Sequence, residues 1–409
     1  MALTFEQARE CVIREVTQAL AAETPRMGQA LTCWRPATDA VETLAAAGRI
    51  LAEDIAADRD YPPFPRSARD GFAVRAADVP GELRVIGEVR AGGVFDGTIG
   101  AGQAVEIMTG APLPAGADAV VMVEHVERDA DRVRIARAVR SGENFNEQGL
   151  EARRGALVLR TGQRLGFAEI AALAMTGHSS VSVYSKPRVG ILPTGDEIVN
   201  VDRQPGPFQI RNSNAWSLAV QVARAGGQPM ILPIARDNYE STRSSTEAGL
   251  KSDLLLLSGG VSAGKYDLVE QVLGDLGARF FFDRVAIQPG QPLVFGAARG
   301  TFFFGLPGNP ASTMVTFEAF ARAAVELLGG ASETPLPFLR ARLDRELHQK
   351  AGLTRFLPAR LSVDGSSVTP ERSQGSGDIC ALARANAFLV TTPDREVWNA
   401  GEDIRVLIK

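Results

Sequence analysis

Four apolar runs, residues 189–192, 230–232, 253–257 and 301–306, each end in residues able to do chemistry. The first is followed by Thr194, Gly195, Asp196 and Glu197, the second by Arg236 and Asp237. The third leads into Ser258, Gly259 and Gly260, the fourth into Pro307, Gly308, Asn309 and Pro310. Runs without alternation imply strands buried on both faces, as in a parallel sheet. Ligands of an open α/β sheet lie beyond the carboxyl ends of its strands. Carboxylates, hydroxyls and glycines therefore gather on the edge where a phosphorylated ligand would lie. Asn309 suits an N-cap and Pro310 a first helical residue, so a helix N-terminus with unpaired N–H groups points out of that edge. Such a terminus favours an anion, although the same residues also make a well-capped helix that binds nothing.

The stretch LSGGVSAGKYDLVE (257–270) carries the spacing G-x-x-x-x-G-K from Gly259, with Gly264 and Lys265 in place. A Walker loop needs Ser or Thr next, to hold Mg²⁺; here it is Tyr266, with Asp267 the nearest substitute. This points away from a triphosphatase and toward a phosphate-binding strand-to-helix turn of another kind. Ser262 and the amides of residues 260–264 supply donors, and Lys265 supplies charge.

Elements must bring these residues together. Asn212 or Ser213 can cap a helix running through Trp216, Ala219, Val220 and Ala223 that Gly226-Gly227 ends. Further helices follow Asp237, run from about Asp267 to Leu276, and begin at Pro310, so residues 187–330 read as a doubly wound α/β domain. Residues 280–295 add strands before the last parallel one. Ahead of this domain, residues 51–158 are rich in Gly, Pro and Val with short alternating runs, which is β-structure joined by turns. Short strands return from about residue 334. The first helix is amphipathic, with Phe5, Ala8, Val12, Val16, Ala19 and Leu20 on one face and a capping box of Thr4 with Gln7.

At 409 residues the chain should hold two to four domains. Its 45% hydrophobic and 22% charged residues are those of a soluble globular protein. A net charge of −4 gives no reason to expect nucleic acid or an anionic membrane as partner. Cys11, Cys33 and Cys380 are far apart and suit a reducing cytoplasm, and three scattered histidines argue against a His-ligated metal. No apolar run is long enough for a membrane span, and charges in the first helix exclude a signal peptide.

Five motifs in order then resemble one family: SARDGFAV (67–74), TGAPLPAGADAVV (109–121), PTGDE (193–197), SGGVSAGKYD (258–267) and LPGNPAS (306–312). The chain resembles, over nearly its whole length, the MoeA family, to which the gephyrin E domain is related. The resemblance implies an α/β plus β multidomain fold. Its parts are an N-terminal helix (1–27), an elongated β linker domain (28–56 and 148–187) and a β domain inserted in it (57–147). A MogA-like molybdopterin-binding α/β domain (188–333) and a C-terminal β domain (334–409) complete it. It implies a cytoplasmic homodimer whose active cleft is shared between subunits, with a MogA-like adenylyltransferase and molybdoenzyme apoproteins as further partners. The implied reaction takes adenylylated molybdopterin, hydrolyses its phosphoanhydride with Mg²⁺, and inserts molybdate with release of AMP.

A divalent cation bridging an anhydride needs oxygen ligands, and Asp237 and Asp267 are the candidates to hold it. Glu197 matches a family residue important for activity, and Asp70 and Thr109 match residues that reach the cleft from the partner subunit. Each has another reading. Asp70-Gly71 makes a good hairpin turn, Asp237 and Asp267 can cap helices, Thr109 can begin a Pro-rich loop, and Glu197 can be an exposed loop charge.

The chain also departs from the family. Where K-P-G-K-P is frequent, it has Gln288-Pro289-Gly290-Gln291-Pro292; where G-R-T-x-F is found, Leu353 replaces the arginine in Gly352-Leu353-Thr354-Arg355-Phe356. Residues 144–151 carry Asn146, Glu147 and Gln148 in a segment that contains arginines in relatives. Three cations are thus missing near the oxyanion site implied by the family. Arg284, Arg355 and Lys265 are the replacements to hand, and Ser376 matches a family serine near molybdate. Weaker molybdate affinity is the expectation, because neutral hydrogen bonds are about half as strong as charged ones. The alternative is a weakened pterin-binding scaffold of the gephyrin E-domain type.

Overall fold

The computed structural model describes residues 2–21, 36–260 and 268–409. The N-terminal helix α1 (Phe5–Ala21) starts on the expected capping box: Thr4 N–H donates to Gln7 Oε1 at 3.0 Å and Gln7 N–H to Thr4 Oγ1 at 3.2 Å. Its apolar face buries Phe5, Ala8, Cys11, Val12, Val16 and Ala19. Phe5 meets Phe320 and Phe356 edge-on, with ring centroids 5.6 and 5.5 Å apart. Arg9 donates from Nη1 to Ala319 O at 2.7 Å and from Nη2 to Thr334 O, and burial lowers its pKa to about 10, so it stays charged at neutral pH.

The α/β body contains β1 (Arg188–Pro193), α2 (Asn214–Arg224), β2 (Gln228–Ile231), α3 (Tyr239–Gly249), β3 (Leu254–Ser258), α4 (Leu268–Asp275), β4 (Arg279–Phe282), β5 (Val294–Ala298) and β6 (Thr301–Leu306). The strands form one sheet in the order β2-β1-β3-β6-β5-β4. The first four run parallel, and β5 and β4 add an antiparallel edge. All of β3 and β6 is buried, as continuous apolar runs require. The final helix runs through α5 (Pro310–Thr316), a π-helical stretch Phe317–Ala321 and α6 (Arg322–Leu328).

α2 differs from its sequence reading: it buries Ala215, Leu218 and Val222, while Trp216 and Val220 are exposed. The face packed on the sheet is thus one position away from the one centred on Trp216. Ser213 holds the N-cap position without a side-chain cap bond, and Asn212 supplies one instead, its Oδ1 accepting from Ala215 N–H at 3.1 Å.

Two further six-stranded sheets lie outside the α/β body. The first links Ala119–Met122, Gly71–Val74, Gln103–Ile107, Gly81–Val89, Arg132–Ile135 and Val126–Asp129 in that order. The segments that flank it in sequence pair with each other, Thr38–Glu42 with Ser180–Tyr184 and Ile55–Ala56 with Leu157–Leu159. The C-terminal sheet closes on itself, because Thr354–Leu361 pairs with both Ser367–Pro370 and Ala387–Thr391. Ile287–Gln288, from the excursion before β5, adds parallel to Thr354–Leu361 and stitches the α/β body to this barrel. Among the described residues no helix is long and apolar enough to cross a membrane.

Candidate functional site

The parallel strands deliver their ends to one rim. Thr194 N–H donates to Ser258 O at 3.1 Å, and Gly195 N–H donates to Ala235 O at 3.1 Å, which ties the exits of β1, β2 and β3 together. Beyond them Asp196 and Asp237 form a reciprocal clasp. Asp196 N–H donates to Asp237 Oδ2 at 3.2 Å, and Asp237 N–H donates to Asp196 Oδ1 at 3.3 Å. Both residues are exposed, and among the described residues the clasp leaves a second oxygen on each carboxylate without a hydrogen-bond partner. Asp237 does not cap α3; that duty falls to Asn238, whose Oδ1 accepts from Ser241 N–H at 2.9 Å. The sequence places Asp196 among the residues at the first strand end but does not single it out beside Glu197 and Asp237. Glu197 folds back over Gly195: a Cβ built there would lie 2.5 Å from Glu197 Oε2. Glycine at 195 therefore makes room for the carboxylate.

Gly259 and Gly260 pass over Thr194 with φ of +100° and +65°, in the left-handed region that side chains disfavour. A Cβ on Gly259 would sit 2.8 Å from Thr194 O, and one on Gly260 3.0 Å from Thr194 Oγ1. The Thr194 hydroxyl is buried without a hydrogen-bond partner among the described residues. An unpaired buried hydroxyl costs about 1–3 kcal/mol, and native proteins keep such groups chiefly where a ligand, water or function completes them. Ser262, Gly264, Lys265 and Asp267 lie outside the described residues.

At the end of β6, Pro307 is buried and Asn309 holds the N-cap position with Pro310 in the first turn. Contrary to the capping expectation, the Asn309 side chain makes no cap hydrogen bond. One amide of this helix start is already used, since Ala311 N–H donates to Ser376 O at 2.9 Å. That bond brings Ser376, from the barrel, to the α/β rim.

A cavity of about 490 Å³ opens beside the same helix start, lined by Gln288, Gly290, Gln291, Ser312, Leu353 and Ser376 among others. No Lys, Arg, His, Asp or Glu is among its described lining residues. Of the three proposed replacement cations, Lys265 lies outside the described residues, and Arg284 and Arg355 do not line it. Arg284 is exposed, while Arg355 is 6% exposed and donates from Nη2 to Lys350 O at 2.8 Å, its Nε unpartnered among the described residues.

Asp70 and Thr109 meet directly in the first β sheet: Asp70 Oδ1 accepts from Thr109 N–H at 2.6 Å and Thr109 Oγ1–H at 2.7 Å. Those two bonds, the backbone one foremost, hold the Asp70 carboxyl below its ordinary range. The hairpin reading of Asp70-Gly71 fails, because Gly71 opens a central strand paired with Ile107 on one side and Met122 on the other. Among the described residues no hydrogen bond or ion pair joins residues 57–147 to residues 188–333. Nor is any group of three or more His, Cys, Asp or Glu placed to hold a metal ion.

Comparison with known proteins covers all of these parts. Residues 3–177 match the MoeA N-terminal region (domain I and II), 190–327 a probable molybdopterin binding domain, and 340–409 the MoeA C-terminal region (domain IV). A molybdopterin molybdenumtransferase of Nostoc sp. is 36% identical over 385 residues, covering 90% of this chain and 88% of the relative. One from Bacillus subtilis is 36% identical over 377 residues, covering 88% and 87%. A crystal structure of the molybdopterin biosynthesis MoeA protein from Pyrococcus horikoshii superposes with a TM-score of 0.80 at 27% identity, covering 100% of both chains.

Proposed function

The chain belongs to the MoeA family, and from that footing we propose that it is a molybdopterin molybdenumtransferase, which moves molybdenum from molybdate onto molybdopterin. The observation that carries the reading is the rim where Glu197, Asp237, the Gly259-Gly260 strap and the Asn309-Pro310 helix start converge. In the fuller form of the proposal the substrate is adenylylated molybdopterin. The Gly259 N–H is spent on Leu306 O at 3.2 Å and the Ala311 N–H on Ser376 O, so the N–H groups of Gly260, Asn309 and Ser312 bind its phosphates. Glu197 orients water and accepts its proton as the water oxygen attacks phosphorus; the P–O–P bond breaks and AMP leaves. Asp237 and Asp196 offer carboxylate oxygens, the donor type that Mg²⁺ takes, and Asp237 with Asp267 would hold the ion. Bound there, Mg²⁺ supplies charge neutralisation at the anhydride. Molybdate as substrate enters the cavity of Gln288, Gln291 and Ser376.

The proposal includes a homodimer in which Asp70 and Thr109 of one subunit complete the rim of the other. The lack of polar ties between residues 57–147 and 188–333, among the described residues, supports it. One observation favours a second reading, a pterin-binding scaffold with feeble insertion: the cavity's described lining carries no cation. Incubation with adenylylated molybdopterin, Mg²⁺ and molybdate decides between them. The enzyme releases AMP and Glu197→Gln lowers kcat by about 100-fold, whereas a scaffold binds the substrate and releases none.

A further inference from the structure

Asn214 opens α2 and took no part in the strand-end reading of the sequence. Its Nδ2 donates twice, to Ser258 Oγ at 3.1 Å and to Gly308 O at 2.7 Å. A carbonyl oxygen only accepts, so the bond to Gly308 fixes which end of the amide is nitrogen. This side chain is not spent on capping its own helix, because Asn212 does that. It joins three elements instead: the start of α2, the last residue of β3, and the turn between β6 and α5. The turn it holds lies against the glycine strap, since a Cβ on Gly308 would sit 3.7 Å from Gly259 Cα. Asn214 Oδ1 is buried without a partner among the described residues, so the amide sits where one of its own ends goes unsatisfied.

We propose that Asn214 is a positioning residue for the anion-binding rim. By holding Ser258 and Gly308 it fixes the spacing between the Gly259-Gly260 strap and the Asn309-Pro310 helix start, so that the Gly260 N–H on one side and the Asn309 and Ser312 N–H groups on the other reach one phosphate-bearing ligand. The identity of that ligand rests on the proposed function; the tie itself rests on the two hydrogen bonds. The position demands a donor: aspartate would set a carboxylate oxygen against the Gly308 carbonyl, and alanine would leave Ser258 and Gly308 untied. Misplaced binding groups cost rate and affinity even where the reacting residues are unchanged.

The test uses the full chain with Asn214→Ala, Asn214→Asp and Ser258→Ala, read by amide hydrogen exchange over residues 308–313 and by steady-state AMP release. In Asn214→Ala exchange over 308–313 rises, and kcat/KM for adenylylated molybdopterin falls by about tenfold or more, mainly through KM. Ser258→Ala, which loses one tie of two, shows a smaller change in the same direction. Asn214→Asp matches the alanine variant at neutral pH and recovers relative to wild type as pH falls, because a protonated carboxyl can donate to Gly308. Unchanged exchange in Asn214→Ala overturns the proposal, as does raised exchange with unchanged kcat/KM, or an Asn214→Asp profile parallel to wild type. A wild-type protein that releases no AMP counts against the proposed function, and the exchange measurement then still decides the tie.

Discussion

At Gln291 a neutral amide lies on a cavity without a described cation. Placing a charge there in Gln291→Lys adds a charge-assisted hydrogen bond to any oxyanion in the cavity, worth roughly 1 kcal/mol more than a neutral one. The molybdate concentration giving half-maximal product should fall about fivefold, measured as molybdenum cofactor formed against molybdate; an unchanged curve would mean that the oxyanion does not sit beside residue 291. Asp70 offers a test by titration. Thr109 holds its pKa below the ordinary value, so the stability it contributes is complete above about pH 4 and is lost as pH falls through the folded-state pKa. Thr109→Val removes the hydroxyl and keeps the N–H, so the Asp70 pKa, followed by carboxyl NMR, should rise part of the way to its ordinary value. A value that does not move would show that the backbone bond alone sets it.

The strands place these groups to within a hydrogen bond, and some positions tolerate no side chain at all. Gly71 is extended rather than turned, yet a Cβ there would overlap the carbonyl oxygen of Val121 in the neighbouring strand. Gly71→Ala must therefore push the central strand away from Ala119–Met122 and disturb Asp70 beside it. We expect a loss of about 3 kcal/mol or more, seen as a lowered urea midpoint for the N-terminal module, together with loss of the Asp70–Thr109 contact. A variant as stable as wild type would show that the two strands can separate without cost. The element is also where the sequence was misleading: a Asp-Gly pair reads as a turn by local propensity, and sheet pairing on both sides overrode it.

Across the whole molecule, the rim of the α/β body and the Asp70–Thr109 pair belong to parts without polar ties among the described residues. If a second subunit supplies the pair, Asp70→Ala and Glu197→Ala chains should each be inactive alone and should complement when refolded or co-expressed together. Random pairing makes about half of the dimers mixed, each with one whole site of two, so about a quarter of wild-type activity should return. A cleft built within one chain returns none. Size-exclusion chromatography with light scattering checks that dimers form.

The apolar runs made the α/β class, and the edge where the strand ends gather, legible from sequence alone, because burial on both faces leaves a direct compositional trace. The capping box of α1 was legible for the same reason: Thr4 and Gln7 act within one turn. What the tertiary structure decided were contacts between residues far apart in sequence. The Asp196–Asp237 clasp and the Asn214 tie to Gly308 depend on where separate loops end up. Local pattern carries no record of those distances, since each is set by packing between elements and not by the preference of any single residue.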